Sequence, residues 1–108
     1  MRGRYDYKFT KLAMEDIDQA LSYIANVLVN PIAARNLYTQ IESTITYICS
    51  FPYASPDCSC YLIGEENIRH IKVGNYILIY EIKVEIHTIY ILRFCYAKMD
   101  FTDLQVVH

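Results

Sequence analysis

Ile68-Arg69-His70-Ile71-Lys72-Val73-Gly74-Asn75-Tyr76-Ile77-Leu78-Ile79-Tyr80-Glu81-Ile82-Lys83 decides the fold. Two apolar runs flank Gly74-Asn75, a pair that favours a tight turn, so the spacing predicts strands over Ile68–Val73 and Tyr76–Lys83 joined as a hairpin. In Tyr76-Ile77-Leu78-Ile79-Tyr80 the side chains directed to both faces are apolar. Such a strand is covered on both sides or receives a partner, and the reading places it centrally in a sheet. Past the polar stretch around Glu85 and His87, residues 88–96 predict another strand, and residues 61–63, ahead of Gly64-Glu65-Glu66-Asn67, a further short one. Strands this close in sequence pair antiparallel.

Upstream the period changes. Tyr5, Tyr7 and Phe9 alternate with Asp6 and Lys8, which suits a short first strand. From Ile17 onward, Ile17, Ala20, Leu21, Ile24, Val27 and Leu28 recur at spacings of three and four, opposite Glu15, Asp16, Asp18 and Gln19, and predict an amphipathic helix. Thr10 is its expected N-cap. Asn30-Pro31 ends this helix and opens a second, because Asn caps well and Pro fits the first helical position. Its stripe is Ala34, Leu37, Tyr38, Ile41, Ile45 and Ile48, and it stops near Cys49 because the residue before Pro52 avoids the helical region. Residues 51–60 read as a loop, and residues 101–107 as a helical turn or an apolar tail on the sheet.

This order predicts an α+β fold: an N-terminal strand, then a two-helix hairpin packed on one face of a small antiparallel β-sheet, in a single domain over residues 1–108. Two short helices cover one face of such a sheet. Apolar residues on the other face are therefore expected to seek a ligand or another chain.

At 54% hydrophobic residues and mean hydropathy +0.12, the 108-residue chain has ample side chain for one core, so disorder has no compositional support. Ten Lys and Arg against 12 Asp and Glu give a net charge of −2 and a pI near 5.8, the wrong sign for binding nucleic acid mainly through phosphates. No apolar run approaches the length of a membrane span, and no secretory signal opens the sequence, so a cytoplasmic protein with thiol cysteines is expected. Cys58-Ser59-Cys60 with His70 lacks the second cysteine pair of a zinc site, and no metal or cofactor is expected.

The run Ile68 to Ile82, followed by Ile89-Tyr90-Ile91-Leu92-Arg93-Phe94-Cys95-Tyr96-Ala97-Lys98-Met99-Asp100, resembles the C-terminal sheet of the RelE/ParE superfamily of bacterial toxins. Ala13-Met14-Glu15-Asp16-Ile17 looks like the opening of that family's first helix, and Asn30-Pro31-Ile32-Ala33-Ala34 like the start of its second, so the resemblance spans nearly the whole chain. It implies the toxin half of a type II toxin–antitoxin (plasmid stabilisation) pair. A small cognate antitoxin would wrap and neutralise it, and DNA binding is not expected without that antitoxin, whose own fold often binds the operator.

The superfamily divides into ribosome-dependent mRNA endonucleases and gyrase poisons. RNA cleavage by a 2′-hydroxyl needs a base for that proton, cations for the charge growing on phosphate and an acid for the leaving oxygen. In the endonuclease branch an Arg follows the aromatic residue that opens the central strand. Here that position, after Tyr76, is Ile77, and a second basic position falls at or beside Met99. The resemblance then implies a ParE-like, gyrase-directed toxin that is not a nuclease. The alternatives are a RelE-like endonuclease acting on ribosome-bound mRNA through Arg69, Arg93, Tyr96 and Lys98, and a decayed toxin that only binds antitoxin. Residues expected to meet a target or antitoxin are Arg69, Tyr76, Arg93, Tyr96, Lys98 and Asp100. Alternation puts Arg93 on a face with Ile89, Ile91 and Cys95, either exposed on the open sheet or paired with Asp100 or Glu81. Arg69 is expected to be a solvent-facing cation, and Tyr96 a structural phenol where relatives often carry His.

Overall fold

The computed structural model describes residues 4–53 and 67–97. Its elements are β1 (Asp6–Phe9), α1 (Lys11–Ser22), a π-helical turn (Tyr23–Val27), α2 (Pro31–Ser50), β2 (Ile68–Val73), β3 (Tyr76–Lys83) and β4 (Thr88–Tyr96). The expectations for residues 61–63 and 101–107, for Lys98, Met99 and Asp100, and for Cys58 and Cys60 lie outside the described residues.

The strands form one sheet in the order β1-β4-β3-β2. β2, β3 and β4 run antiparallel to their neighbours, as expected, whereas β1 adds to β4 in parallel, so the α+β sheet is mixed. The helical hairpin between β1 and β2 lets the first strand return beside the last. Val73 pairs with Tyr76 across Gly74-Asn75, and Gly74 takes φ +61°, a conformation that side chains resist.

Thr10 caps α1 by accepting from the Ala13 amide at 3.1 Å, and Asn30 caps α2 by accepting from Ala33 at 3.1 Å, with Pro31 at the first helical position. The hairpin packs Ala13, Leu37, Ile41 and Ile48 against Leu78, Tyr80, Ile82 and Ile91. Val27 and Leu28 depart from their expected place in the buried stripe. The π-helical turn, closed by the Leu28 amide on the Tyr23 carbonyl at 3.0 Å, adds a residue to the winding, and both side chains rotate out to 63% and 55% exposure.

The second face of the sheet is also a correction. Ile68, Ile79 and Leu92 are fully buried there, with Cys95 beside them and Ile77 and Tyr90 packed at the margin. These side chains are therefore not an open surface awaiting a ligand. No described helix is long and apolar enough to cross a membrane.

Val29, after the π-helical turn, sits at φ +50° with its side chain 76% exposed. A β-branched residue is strained in the left-handed region, which Asn tolerates, and no burial compensates here. Val29→Asn should raise the unfolding free energy by about 1 kcal/mol in urea titration. An unchanged midpoint would refute this account.

Candidate functional site

A groove of about 830 Å³ opens between the C-terminal half of α1, the π-helical turn and the adjoining ends of β3 and β4. Its lining includes Asp16, Tyr23, Leu28, Tyr76, Arg93, Phe94 and Tyr96. Three residues singled out from the sequence, Tyr76, Arg93 and Tyr96, therefore meet in one place. Arg69 is not among the lining residues: on β2 it pairs with Tyr80, half-buried, with its guanidinium 5.0 Å from the centroid of the Tyr53 ring. The expectation of a solvent-facing Arg69 is corrected accordingly, since cation–π stacking draws the side chain inward.

Arg93 also departs from both expectations. Its partner is Asp16 on α1, with Nε donating to Oδ2 at 2.7 Å and Nη2 to Oδ1 at 3.1 Å. The two side chains are only 17% and 15% exposed. A β-bulge lies beside this pair. Ile79 pairs with Arg93 but Tyr80 pairs with Ile91, so β4 carries one more residue than β3 at Leu92. Beyond it the faces exchange: Ile89 and Ile91 share the helix-side cluster with Phe94, while Cys95 joins the opposite one.

The aromatic side chains form a connected set. Phe94 stacks on Tyr76 with centroids 4.9 Å apart and planes 8° apart, and Tyr76 meets Tyr96 nearly edge-on at 5.5 Å. Burial pushes the Tyr76 hydroxyl above the ordinary phenol range, with Tyr96 and Tyr23 adding to the effect, so it stays neutral at physiological pH. Tyr96 and Tyr23 are exposed at 46% and 51%. Burial pushes the Cys95 thiol up to about 11, so it stays protonated at neutral pH. The bidentate bond to Asp16 raises Arg93 above its ordinary value. The groove thus offers phenol hydroxyls, aromatic faces and a neutralised ion pair, a surface suited to polar and apolar contact with a partner.

Sequence reasoning missed Asp16, Tyr23 and Asn75. Asp16 did leave a signal: it stands three residues after Ala13 and four before Ala20, on the side of α1 that faces the sheet, where a carboxylate needs a partner. Tyr23 left one too: it stands seven residues after Asp16 and three after Ala20, on the same side of the helix.

Residues 7–101 match the family described as ParE toxin of type II toxin–antitoxin system, parDE. The chain belongs to the ParE toxin family. Among solved structures, the chromosomal ParDE system from P. aeruginosa superposes with TM-score 0.69 at 16% identity, covering 90% of this chain and 100% of that one. The toxin–antitoxin complex RelBE2 from Mycobacterium tuberculosis gives 0.57 at 20% identity over 86% of this chain and 98% of that one. The free E. coli toxin RelE, as a double arginine-to-alanine mutant, gives 0.60 at 14% identity over 88% and 85%. No curated protein matches the chain. At these identities the structures establish a shared RelE/ParE-type fold, and the family match makes the chain a ParE-family toxin of a type II toxin–antitoxin system.

His70 is half-buried on β2, and burial lowers its pKa. The unfolded chain then binds a proton near the ordinary histidine pKa that the folded chain does not, so stability present above about pH 6.5 falls as pH drops below it. His70→Gln should flatten that fall between pH 7.5 and 5.5 in urea titrations. An identical slope would assign it to other groups.

Proposed function

We propose that this toxin acts by binding DNA gyrase, without cleaving RNA, and that a cognate antitoxin neutralises it. The ParE family match and the ParDE complex among structures of the same fold support the antitoxin and the gyrase-directed branch. The observation that carries the non-nucleolytic part is the Asp16–Arg93 pair. Arg93 is the one cation among the described groove residues, and a carboxylate engages it at two positions. A guanidinium so engaged is poorly placed to offset charge on a scissile phosphate, and a neutral phenol is a weak base. Ile77, where the endonucleases carry Arg, is on the opposite face in the second apolar cluster.

Inducible expression in bacteria tests this, with growth, DNA content and transcript integrity followed in the same cultures. Arrest with intact transcripts and a DNA-damage response is the expected result. Cleaved transcripts would return the chain to the endonuclease class, and unaffected growth would make it a binding partner without toxicity.

A further inference from the structure

A bulge leaves strand backbone groups displaced from the regular ladder, and here α1 takes them. The Thr10 amide donates to the Ile91 carbonyl at 3.0 Å, and its hydroxyl to the Leu92 carbonyl at 2.9 Å. On the other side of the bulge, the Phe94 amide donates to Asp16 Oδ2 at 3.0 Å, the same oxygen that accepts from Arg93 Nε. One carboxylate thus holds both the side chain of Arg93 and the backbone of the next residue. A carboxylate that served only to cancel a charge would have no need of the Phe94 amide.

What Phe94 carries is the floor of the groove. Its ring lies flat on Tyr76, and Tyr76 meets the exposed Tyr96 edge-on, so the backbone position of Phe94 sets the spacing of the set. The ion pair is largely covered while Tyr96 is open. Tyr side chains bring large, rigid contact area with few rotatable bonds, so their placement is inherited from the backbone beneath.

We propose that Asp16 is a positioning residue for this groove: it splints the β4 bulge and so fixes the Phe94–Tyr76–Tyr96 array that meets the toxin's cellular target, through hydrogen-bond geometry rather than charge. The inference rests on the groove being the working surface of the toxin.

Two variants of the full chain test it: Asp16→Ala, which removes the acceptor, and Asp16→Asn combined with Arg93→Gln, which removes both charges but keeps an acceptor oxygen beside the Phe94 amide. NMR on the purified proteins reads the Phe94–Tyr76 ring contacts and exchange of the Phe94 amide. Induced cultures read the inducer level that arrests growth at equal soluble protein. Asp16→Ala is expected to speed Phe94 exchange by ~10-fold or more, weaken the ring contacts and raise the inducer requirement by ~10-fold. The double variant is expected to recover most of each loss. Ring contacts that persist in Asp16→Ala, or that fail to return in the folded double variant, would overturn the proposal. Should Asp16→Ala not fold, the double variant decides alone. Transcript integrity with the unmodified chain judges the gyrase reading separately, because the ring measurements need neither toxicity nor a target.

Discussion

Truncating Tyr80 to alanine should lower the unfolding free energy by about 3–5 kcal/mol, the largest stability loss expected from a single change in this chain. Tyr80 sits in β3 between the hairpin and the sheet with no exposed surface, and its hydroxyl donates to the Pro52 carbonyl at 2.8 Å. Alanine removes the ring from a closely packed site and leaves a cavity that neighbours fill only in part. Tyr80→Phe separates the two contributions: it keeps the ring but strips the carbonyl of its phenol donor, for an expected loss of about 1–3 kcal/mol. Urea unfolding with an unchanged slope for both variants checks this. Equal losses would place the stabilisation in the hydroxyl, not the ring. Domains of this size have only about 5–15 kcal/mol in hand, so Tyr80→Ala should also weaken growth arrest by lowering the amount of folded toxin, without touching the groove.

The architecture was legible because its signals are local. Gly74-Asn75 between apolar runs marks β2 and β3, the change of period marks the hairpin, and Thr10 and Asn30 cap the helices expected of them. The site was legible only in part because its decisive features are not local. Residues 88–96 carry apolar side chains on both faces, so no break in alternation betrays the extra residue at Leu92, and simple alternation puts Cys95 on the face of Ile89 and Ile91 that Phe94 in fact occupies. Asp16, the partner of Arg93, is 77 residues away in sequence, reachable only once α1 lies across β4. The buried second face escaped for a similar reason: periodicity tells which residues are apolar, not what covers them.

Placing an arginine at position 77 tests the difference between a sequence motif and a site. Ile77 follows Tyr76, where the endonuclease branch carries its Arg, yet alternation along β3 sends it to the face of Ile68, Ile79 and Leu92. A guanidinium there would enter an apolar cluster, so Ile77→Arg should cost about 2–4 kcal/mol in urea unfolding, reduced to the extent that the long side chain reaches water. It should leave transcripts intact, because the new charge is separated from Tyr76, Tyr96 and Arg93 by the sheet. Cleavage by Ile77→Arg but not by the unmodified chain would mean that one missing cation divides the two activities and that the groove is not their common seat. Intact transcripts with the predicted loss of stability would instead trace that lack of cleavage to the arrangement of the whole site, in which the Asp16 carboxylate of α1 already holds Arg93 at two positions.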